Sequence, residues 1–249
     1  MAFISYAQNF EDVMLWRALG HIEKGFYIDV GANDPIVDSV TKAFYNADWS
    51  GINIEPISEH IETLKLERPR DINLAVAAGN VQGTAEIIQP TTRGWASLNP
   101  VFIEKYTLED QHAKRHVVNV TTLNHIIREY CTHQEIHFLK IDVEGFELQV
   151  LQGITLSRYR PWIIVIESTL PNSQIESYKS WQKILRDNRY LFAYFDGLNR
   201  YYIAKEHNNL KKHFKTPPNV FDNYIRYREI ELLNQIELLE NKVKMLEER

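Results

Sequence analysis

The sequence predicts an α/β domain with a doubly wound, mostly parallel sheet, followed by a long C-terminal helix. Short runs rich in Ile and Val recur along the chain, and helical patterns separate several of them. After two prolines the composition changes to a pattern of regularly spaced apolar residues among glutamates and lysines. The first two observations predict the sheet and its covering helices, and the third predicts the final helix.

The runs that predict strands are nearly continuous in apolar residues, which is typical of strands buried on both faces of a parallel sheet. They cover residues 25–32, 51–55, 73–78, 136–143 and 162–167. Helical patterns cover residues 39–47, 58–67 and 144–153, and an amphipathic pattern covers residues 6–19. Their alternation with the strands predicts crossover connections, as in a doubly wound sheet.

Two further regions predict antiparallel strands. Between residues 84 and 123 the segments TAEIIQ and VVNVTTL indicate shorter strands that flank a loop and a helix. Residues 190–195 and 201–204 flank the sequence Asp-Gly-Leu-Asn-Arg at 196–200. An Asp-Gly pair between two apolar runs predicts a hairpin turn.

The C-terminal pattern predicts the start of a coiled coil. Leu232, Leu239 and Leu246 occupy d positions, and Ile236 and Val243 occupy a positions. We therefore expect a domain over residues 1–217 and a helix over 218–249, which would mediate homo-oligomerisation or join further domains. A single amphipathic helix packed on the core is the alternative. The pattern ends without a capping signal, so we also expect the protein to continue beyond it.

Composition excludes several classes of protein. The chain has 249 residues, 44% hydrophobic and 24% charged, with a net charge of −5, which gives no electrostatic attraction to nucleic acid. One cysteine, Cys131, cannot form an internal disulfide and is expected to be an inert buried thiol. The sequence shows no signal peptide and no transmembrane run. We expect a cytoplasmic protein that reaches the inner face of the membrane only through partners.

The segment FYIDVGAN at residues 26–33 predicts a cofactor site. A buried strand ends near Asp29, and Gly31 forms the tight turn at the edge where α/β sheets bind ligands. A pyrophosphate site requires further glycines, whereas here Asn33 and an aspartate follow. Glu55 ends the next strand, where an acidic side chain accepts hydrogen bonds from a ribose. We therefore expect S-adenosylmethionine rather than NAD or FAD.

A second acidic segment, FLKIDVEGFEL at residues 138–148, follows another buried strand. Alternation buries Lys140, which then requires a carboxylate partner. Asp142 and Glu144, with Glu167 from the next strand, are the candidate catalytic groups. The sequence leaves open whether they act as a base, as ligands of a divalent metal or as hydrogen-bond acceptors. A solvated helix start is the alternative, and His112 and His116 are expected on a solvated helix face.

The motifs SYAQNFEDVML, FYIDVGAN, NIEP, TTLN and LKIDVEGFE occur in this order. Together they resemble the FkbM-type methyltransferase family over about residues 3–205. The resemblance implies a Rossmann-like class I methyltransferase sheet with a terminal antiparallel hairpin. It also implies S-adenosylmethionine-dependent O-methylation of natural-product or surface-polysaccharide hydroxyls. The chain departs from the family at Phe10, where glycine is commoner, and at Pro35.

The resemblance also implies a set of site residues. Its N-terminal element is placed to close over the site, its central motifs hold the cofactor, and a WASL loop lies near the cofactor. The cofactor residues implied are Gln8, Glu11, Asp12, Asp29, Gly31, Asn33, Glu55, Ser97, Asp142 and Glu147, with Glu144 and Gly145 in the same motif near the acceptor.

The sequence thus predicts a methyltransferase that acts on a sugar hydroxyl, in the synthesis of a bacterial surface polysaccharide. Three alternatives are weaker. The acceptor can instead be an amine, amide or phosphate of a small metabolite. The domain can be a non-catalytic module carried by its coiled coil, although an inactive domain has no need of Asp29, Gly31 and Glu55. A dehydrogenase is disfavoured because the additional glycines are missing.

Overall fold

The computed structural model describes residues 2–131, 135–171 and 173–247. Its strands are β1 (Phe3–Ser5), β2 (Phe26–Val30), β3 (Ser50–Ile54), β4 (Ile72–Leu74), β5 (Ala77–Ala78), β6 (Gly83–Gln89), β7 (Lys114–Thr121), β8 (Phe138–Ile141), β9 (Ile163–Glu167), β10 (Tyr190–Phe195), β11 (Asn199–Ala204) and β12 (Tyr224–Arg226). Its helices are α1 (Glu11–Leu19), α2 (Lys42–Asn46), α3 (Ser58–Glu67), α4 (Pro100–Glu109), α5 (Leu123–Tyr130), α6 (Glu147–Gln152), α7 (Gln182–Asp187) and α8 (Tyr227–Glu247). Short 3₁₀ segments cover Tyr178–Ser180, Lys205–Phe214 and Val220–Asp222.

A mixed sheet forms the centre of the molecule. Its strand order is β10-β11-β9-β8-β2-β3-β4, counted over the described residues. The strands from β9 to β4 run parallel, and β11 runs antiparallel to both of its neighbours. The connections reverse direction between β2 and β8, and ligands bind outside the carboxyl ends of strands at such a point.

Both faces of the sheet are buried, as the continuous apolar strands predict. On one face Tyr27 of β2 lies opposite Phe138 of β8, with ring centroids 5.5 Å apart. On the other face Ile28 lies opposite Leu139, within the larger apolar core. Because both layers are closed to water, the polar side chains at the carboxyl edge are held by a rigid support.

The prediction of one strand over residues 73–78 is wrong. The segment contains two strands that belong to different sheets, since β4 joins the central sheet and β5 pairs with β7. Strands β5, β7 and β6 form a separate three-stranded sheet. Composition cannot reveal this division, because apolar residues suit the cores of both sheets.

The antiparallel hairpin of β10 and β11 is present as predicted. Its turn is held by Asp196, whose Oδ1 accepts hydrogen bonds from the backbone N–H groups of Leu198 (2.8 Å) and Asn199 (2.6 Å). Gly197 has a φ of 100°, which is the left-handed conformation that glycine adopts without strain. The turn brings Gly197 and Leu198 to the ligand-binding edge of the sheet.

The C-terminal helix begins later than predicted. Residues 224–226 form β12, which runs parallel to β1 with Ile225 opposite Ile4, and α8 starts at Tyr227. The side chains from Leu232 to Leu246 are exposed, which contradicts the alternative of a helix packed on the core. The boundary between two domains at residue 217 stays a prediction. No helix in the described ranges is long and apolar enough to cross a membrane.

Candidate active site

A cavity of about 810 Å³ opens at the carboxyl ends of β2, β3, β8 and β9. This volume is in the range of sites that bind a cofactor or a small molecule. The predicted site residues divide into those that line the cavity and those that lie behind its wall. Gln8, Gly31, Asn33, Glu55, Asp142, Glu144 and Glu167 line it. Glu11, Asp12, Asp29, Ser97 and Glu147 are buried behind it.

Gly31 forms the tight turn after β2, as predicted. Its φ is 81°, and a Cβ atom at this position would lie 1.9 Å from the carbonyl oxygen of Asp142. Its N–H donates to the carbonyl of Ile54 at 2.9 Å. Only glycine combines this conformation with so close an approach of two backbone segments. The turn therefore fixes the ends of β2, β3 and β8 against one another.

Glu55 is held rigidly beside this turn. One carboxylate oxygen accepts the backbone N–H of Asn33 at 2.9 Å, and the other accepts that of Ile57 at 2.8 Å. His60 lies 3.5 Å from the second oxygen. Each oxygen keeps a further lone pair for a hydroxyl donor. The carboxylate thus offers two acceptors to the cavity in a fixed position.

Asp29 lies behind the cavity wall and contacts Lys140, which lines the cavity. Asp29 accepts the hydroxyl of Thr41 at 3.0 Å and stays behind the cavity wall. The Lys140 ammonium lies 3.4 Å from both Asp29 Oδ1 and Asp142 Oδ2, and it donates to the carbonyl of Gly31 at 3.0 Å. Burial opposes its charge, but the two aspartates outweigh burial and raise the pKa of Lys140. The prediction of a buried lysine with carboxylate partners is confirmed.

Asp142, Glu144 and Glu167 form a cluster of carboxylates. One oxygen from each lies within 4.8 Å of the others. Burial, followed by the charges of Asp142 and Glu147, raises the pKa of Glu144 to about 9. Burial and the neighbouring carboxylates also raise the pKa of Glu167 well above its ordinary value. The cluster therefore takes up protons near neutral pH unless another cation compensates its charge.

The loop before α6 aims Glu144 at this cluster. Glu144 and Gly145 have φ values of 52° and 90°, so a helix cannot begin at residue 144 as predicted. The Ser97 hydroxyl donates to the carbonyl of Glu144 at 2.7 Å, and the Gly145 N–H donates to Glu147 at 2.9 Å. Ser97 and Glu147 therefore support the loop from behind the cavity wall. As cofactor ligands they stay a prediction.

The two acidic residues of the N-terminal element organise its backbone. Asp12 accepts hydrogen bonds from the Ser5 hydroxyl (2.7 Å) and from the N–H groups of Tyr6 (2.7 Å), Ala7 (3.2 Å) and Val13 (2.8 Å). Although these bonds favour the charged form, burial raises its pKa to about 6. The segment that they shape leads into Gln8, which lines the cavity.

Glu11 joins this element to the hairpin turn. It accepts hydrogen bonds from the Asn9 N–H and the Asn199 side chain, both at 2.8 Å. Burial, followed by the charge of Asp196, raises its pKa to about 8. The preceding residue, Phe10, has a φ of 63°. This conformation favours glycine, and the helix predicted over residues 6–19 therefore begins only at Glu11.

Sequence reasoning missed the loop of residues 89–96, which forms one side of the cavity. Arg93 lies 3.5 Å from Asp34 and 3.9 Å from Asp38, and it donates to the carbonyl of Val37 at 2.6 Å. Trp95 stacks on Tyr106 with ring centroids 5.9 Å apart. A polar loop carries no periodic signal, and only the WASL resemblance indicated part of it.

His112, His116 and Cys131 do not line the cavity. His116 lies on β7, where Nε2 is 2.9 Å from the Gln89 side chain, and not on the predicted helix face. Within the described ranges, histidines contribute to no cluster of metal-ligating groups. Cys131 is buried after α5, and burial raises its pKa to about 12, which agrees with an inert thiol.

Comparison with known families decides the class of protein. The family described as Methyltransferase FkbM domain matches residues 29–192. The chain belongs to this family. The match begins at Asp29 and includes the Gly31 turn, Glu55 and the carboxylate cluster. No curated protein matches the chain significantly. Membership indicates methyltransferase activity, and S-adenosylmethionine is in general the methyl donor of such a family.

Proposed function

We propose that this member of the FkbM methyltransferase family transfers a methyl group from S-adenosylmethionine to a sugar hydroxyl. The observation that carries the proposal is the carboxylate cluster of Asp142, Glu144 and Glu167, which shares one cavity with the Gly31 turn and Glu55. We also assign the central sheet to the Rossmann-like class I methyltransferase fold. Its strand order and the single reversed strand β11 support this assignment.

The cofactor side of the cavity fits an adenosine that is attached to a positively charged sulfonium group. Glu55 presents two fixed acceptors, which suit the hydroxyls of a ribose. Five carboxylates line the cavity (Asp38, Glu55, Asp142, Glu144 and Glu167), whereas Lys140 and Arg93 are its cationic side chains apart from histidine, counted over the described residues. With Glu144 and Glu167 protonated, Asp38, Glu55 and Asp142 still outnumber Lys140 and Arg93. This excess of negative charge favours a sulfonium ligand with an α-amino group over a pyrophosphate.

The acceptor side must orient a hydroxyl and remove its proton. When bound, S-adenosylmethionine supplies an activated methyl group on a good leaving group. Asp142 pairs with Lys140, so it is our candidate for the carboxylate that receives the proton. Glu144 and Glu167 then hold the hydroxyl by hydrogen bonds. With the cofactor bound, the acceptor oxygen would gain the methyl group as the methyl–sulfur bond breaks, and Asp142 would take the hydroxyl proton.

A sugar fits the remaining polar wall. Gln8, Thr91, Thr92, Ser173 and Gln174 line the cavity and offer hydroxyl and amide groups. Such groups pair with several sugar hydroxyls at once. The choice of a surface polysaccharide, assembled at the inner face of the membrane, rests on the resemblance to known FkbM acceptors. An assay with a panel of sugars and matched amines tests this choice, since methylation of amines alone would contradict it.

The cofactor assignment has a direct calorimetric test. S-adenosylhomocysteine should bind the wild-type protein saturably, whereas NAD should not bind. Gly31→Ala should abolish binding, because its Cβ would clash with the Asp142 carbonyl at 1.9 Å. Gly83→Ala is the matched control, since a Cβ there meets nothing within 4 Å. Binding of NAD, or equal binding by both variants, would contradict the proposed site.

We propose in addition that α8 forms a parallel two-stranded coiled coil with a second copy. Ile and Val at the a positions with Leu at the d positions favour two strands. Leu239→Asp should dissociate the dimer in sedimentation experiments, while the exposed Asn241→Asp should not. A wild-type monomer would contradict this role.

A further inference from the structure

The charge of the carboxylate cluster is not balanced by the side chains around it. Among the described residues, Lys140 is the cation that forms an ion pair with the cluster, at 3.4 Å from Asp142 Oδ2. Asp29 lies at the same distance on the other side of the ammonium. One ammonium therefore faces four carboxylates, Asp29 and the three of the cluster, and cannot balance them all. Glu144 and Glu167 are buried, and because an unpaired buried charge is costly, each requires a proton or a cation.

Two of the carboxylates also have oxygens without a donor. Glu144 is 9% exposed and Glu167 is 6% exposed. The Oε2 atom of each is buried and accepts no hydrogen bond from the described residues. Polar atoms buried to this degree normally have a partner, so these two oxygens at the cavity wall favour a bound proton or cation.

The geometry of the cluster matches one bound cation. Oxygen ligands lie about 2.0–2.6 Å from Mg²⁺ or Ca²⁺, so two oxygens on opposite sides of such an ion are about 4–5 Å apart. The three carboxylates place one oxygen each within 4.8 Å of one another. Their supports are rigid, because Asp142 and Glu167 are fixed by β8 and β9 and the Ser97 hydroxyl holds the loop of Glu144.

We propose that Asp142, Glu144 and Glu167 bind one divalent cation, Mg²⁺ or Mn²⁺. Carboxylate oxygens are hard ligands, which these ions prefer and softer metals do not. All three residues line the cavity, so the remaining coordination positions face its interior. The role of the ion rests on the proposed function: it holds the acceptor hydroxyl and favours the loss of its proton. The cation and Asp142 then share this task.

Direct metal binding tests the proposal without an activity assay. Metal-free protein is titrated with Mn²⁺, and free Mn²⁺ is followed by electron paramagnetic resonance. The wild type should bind one equivalent. Glu167→Gln and Asp142→Asn should each weaken binding by at least about tenfold, since second-shell changes alone cost that much. The control Glu62→Gln removes a carboxylate that is 71% exposed and should bind like the wild type.

If a variant fails to fold, the thermal stability of the wild-type protein provides a second test of the cation site. Saturating Mn²⁺ should raise the Tm of the wild-type protein, because the ion binds the folded state alone. Absence of both the Tm shift and the resonance change overturns the proposal, and so does equal binding by wild type and variants. S-adenosylhomocysteine is titrated in parallel with EDTA present. If S-adenosylhomocysteine binds but Mn²⁺ does not, the cation site alone is wrong. If S-adenosylhomocysteine does not bind, the proposed function is wrong.

Discussion

Two buried groups of charged side chains differ in how completely they are satisfied. The first surrounds Arg68, whose guanidinium donates to Asp71 (2.9 Å), Tyr27 (2.7 Å) and Thr41 (3.0 Å). Asp71 accepts the N–H of Gly51 at 2.8 Å as well. Both side chains of the Arg68–Asp71 pair are 0% exposed, and opposite charges meet in equal number.

The carboxylate cluster of Asp142, Glu144 and Glu167 is the second group, and it is incomplete. It combines like charges, and two of its buried oxygens accept no hydrogen bond from the described residues. Thr41, Asp29 and Lys140 link the two groups: the Thr41 hydroxyl accepts from Arg68 and donates to Asp29, and Lys140 lies 3.4 Å from both Asp29 and Asp142. The contrast teaches that a satisfied buried network stabilises the fold, whereas an unsatisfied one at a cavity marks a site for a ligand.

The largest loss of stability should follow from breaking the complete network. Arg68→Met leaves Asp71 buried without its cation, and we expect the free energy of unfolding to fall by about 3–5 kcal/mol. Urea denaturation measures this change. Arg228→Met on the exposed face of α8 is the matched control and should stay within about 0.5 kcal/mol. An Arg68→Met protein as stable as the control would show that the network does not hold the fold.

A substitution in the carboxylate cluster should have the opposite effect, with little loss of stability and a large loss of activity. Glu167→Gln removes a repelled carboxylate, so the free energy of unfolding should change by less than about 1 kcal/mol or increase. Methyl transfer should fall by about 10²-fold or more, because a group at the reacting hydroxyl is lost. Turnover near the wild-type value, measured with the accepted sugar, would remove Glu167 from the site.

The same cluster should make stability depend on pH. The pKa of Glu144 is about 9 in the folded protein against an ordinary 4.5, so the folded state binds more protons than the unfolded chain. The contribution of Glu144 to stability is therefore full below pH 4.5 and is lost as pH rises toward 9. Glu144→Gln should flatten this decline in denaturation curves recorded between pH 5 and 9 with EDTA. An unchanged slope would assign the decline to other groups.

The smallest effect should come from an exposed ion pair. Glu62 and Lys65 lie 2.8 Å apart on α3, and their side chains are 71% and 52% exposed. Glu62→Gln should lower the free energy of unfolding by no more than about 0.5 kcal/mol, since water already solvates both charges. A loss above about 1 kcal/mol would show that exposure is a poor guide to the strength of ion pairs in this protein.

Much of the central sheet could be predicted from sequence. The strands around Asp29 and Lys140 lie within the predicted runs, and the predicted helix of residues 58–67 matches α3. Burial on both faces leaves few alternatives to a continuous apolar strand. The predictions failed where the backbone takes left-handed conformations: residues 144–146 do not belong to a helix because Glu144 and Gly145 have positive φ values.

The positions of the site residues, too, could be predicted only in part. Asp142, Glu144 and Glu167 were predicted to meet because parallel strands end at one edge of a sheet, and the structure brings them together. Asp12 and Ser97 were predicted at the cofactor, yet both are buried behind the cavity wall. Their motif places them near the site, but it does not distinguish a lining residue from one that supports the backbone.

The sequence by itself determined the α/β class, the paired acidic strand ends and the burial of Lys140, because apolar periodicity and the cost of buried charge act locally. Only the tertiary structure decided that residues 72–78 divide between two sheets, that β12 joins β1, and that Arg93 borders the cavity. These outcomes depend on contacts between segments distant in the chain, and such contacts leave no periodic pattern in either segment.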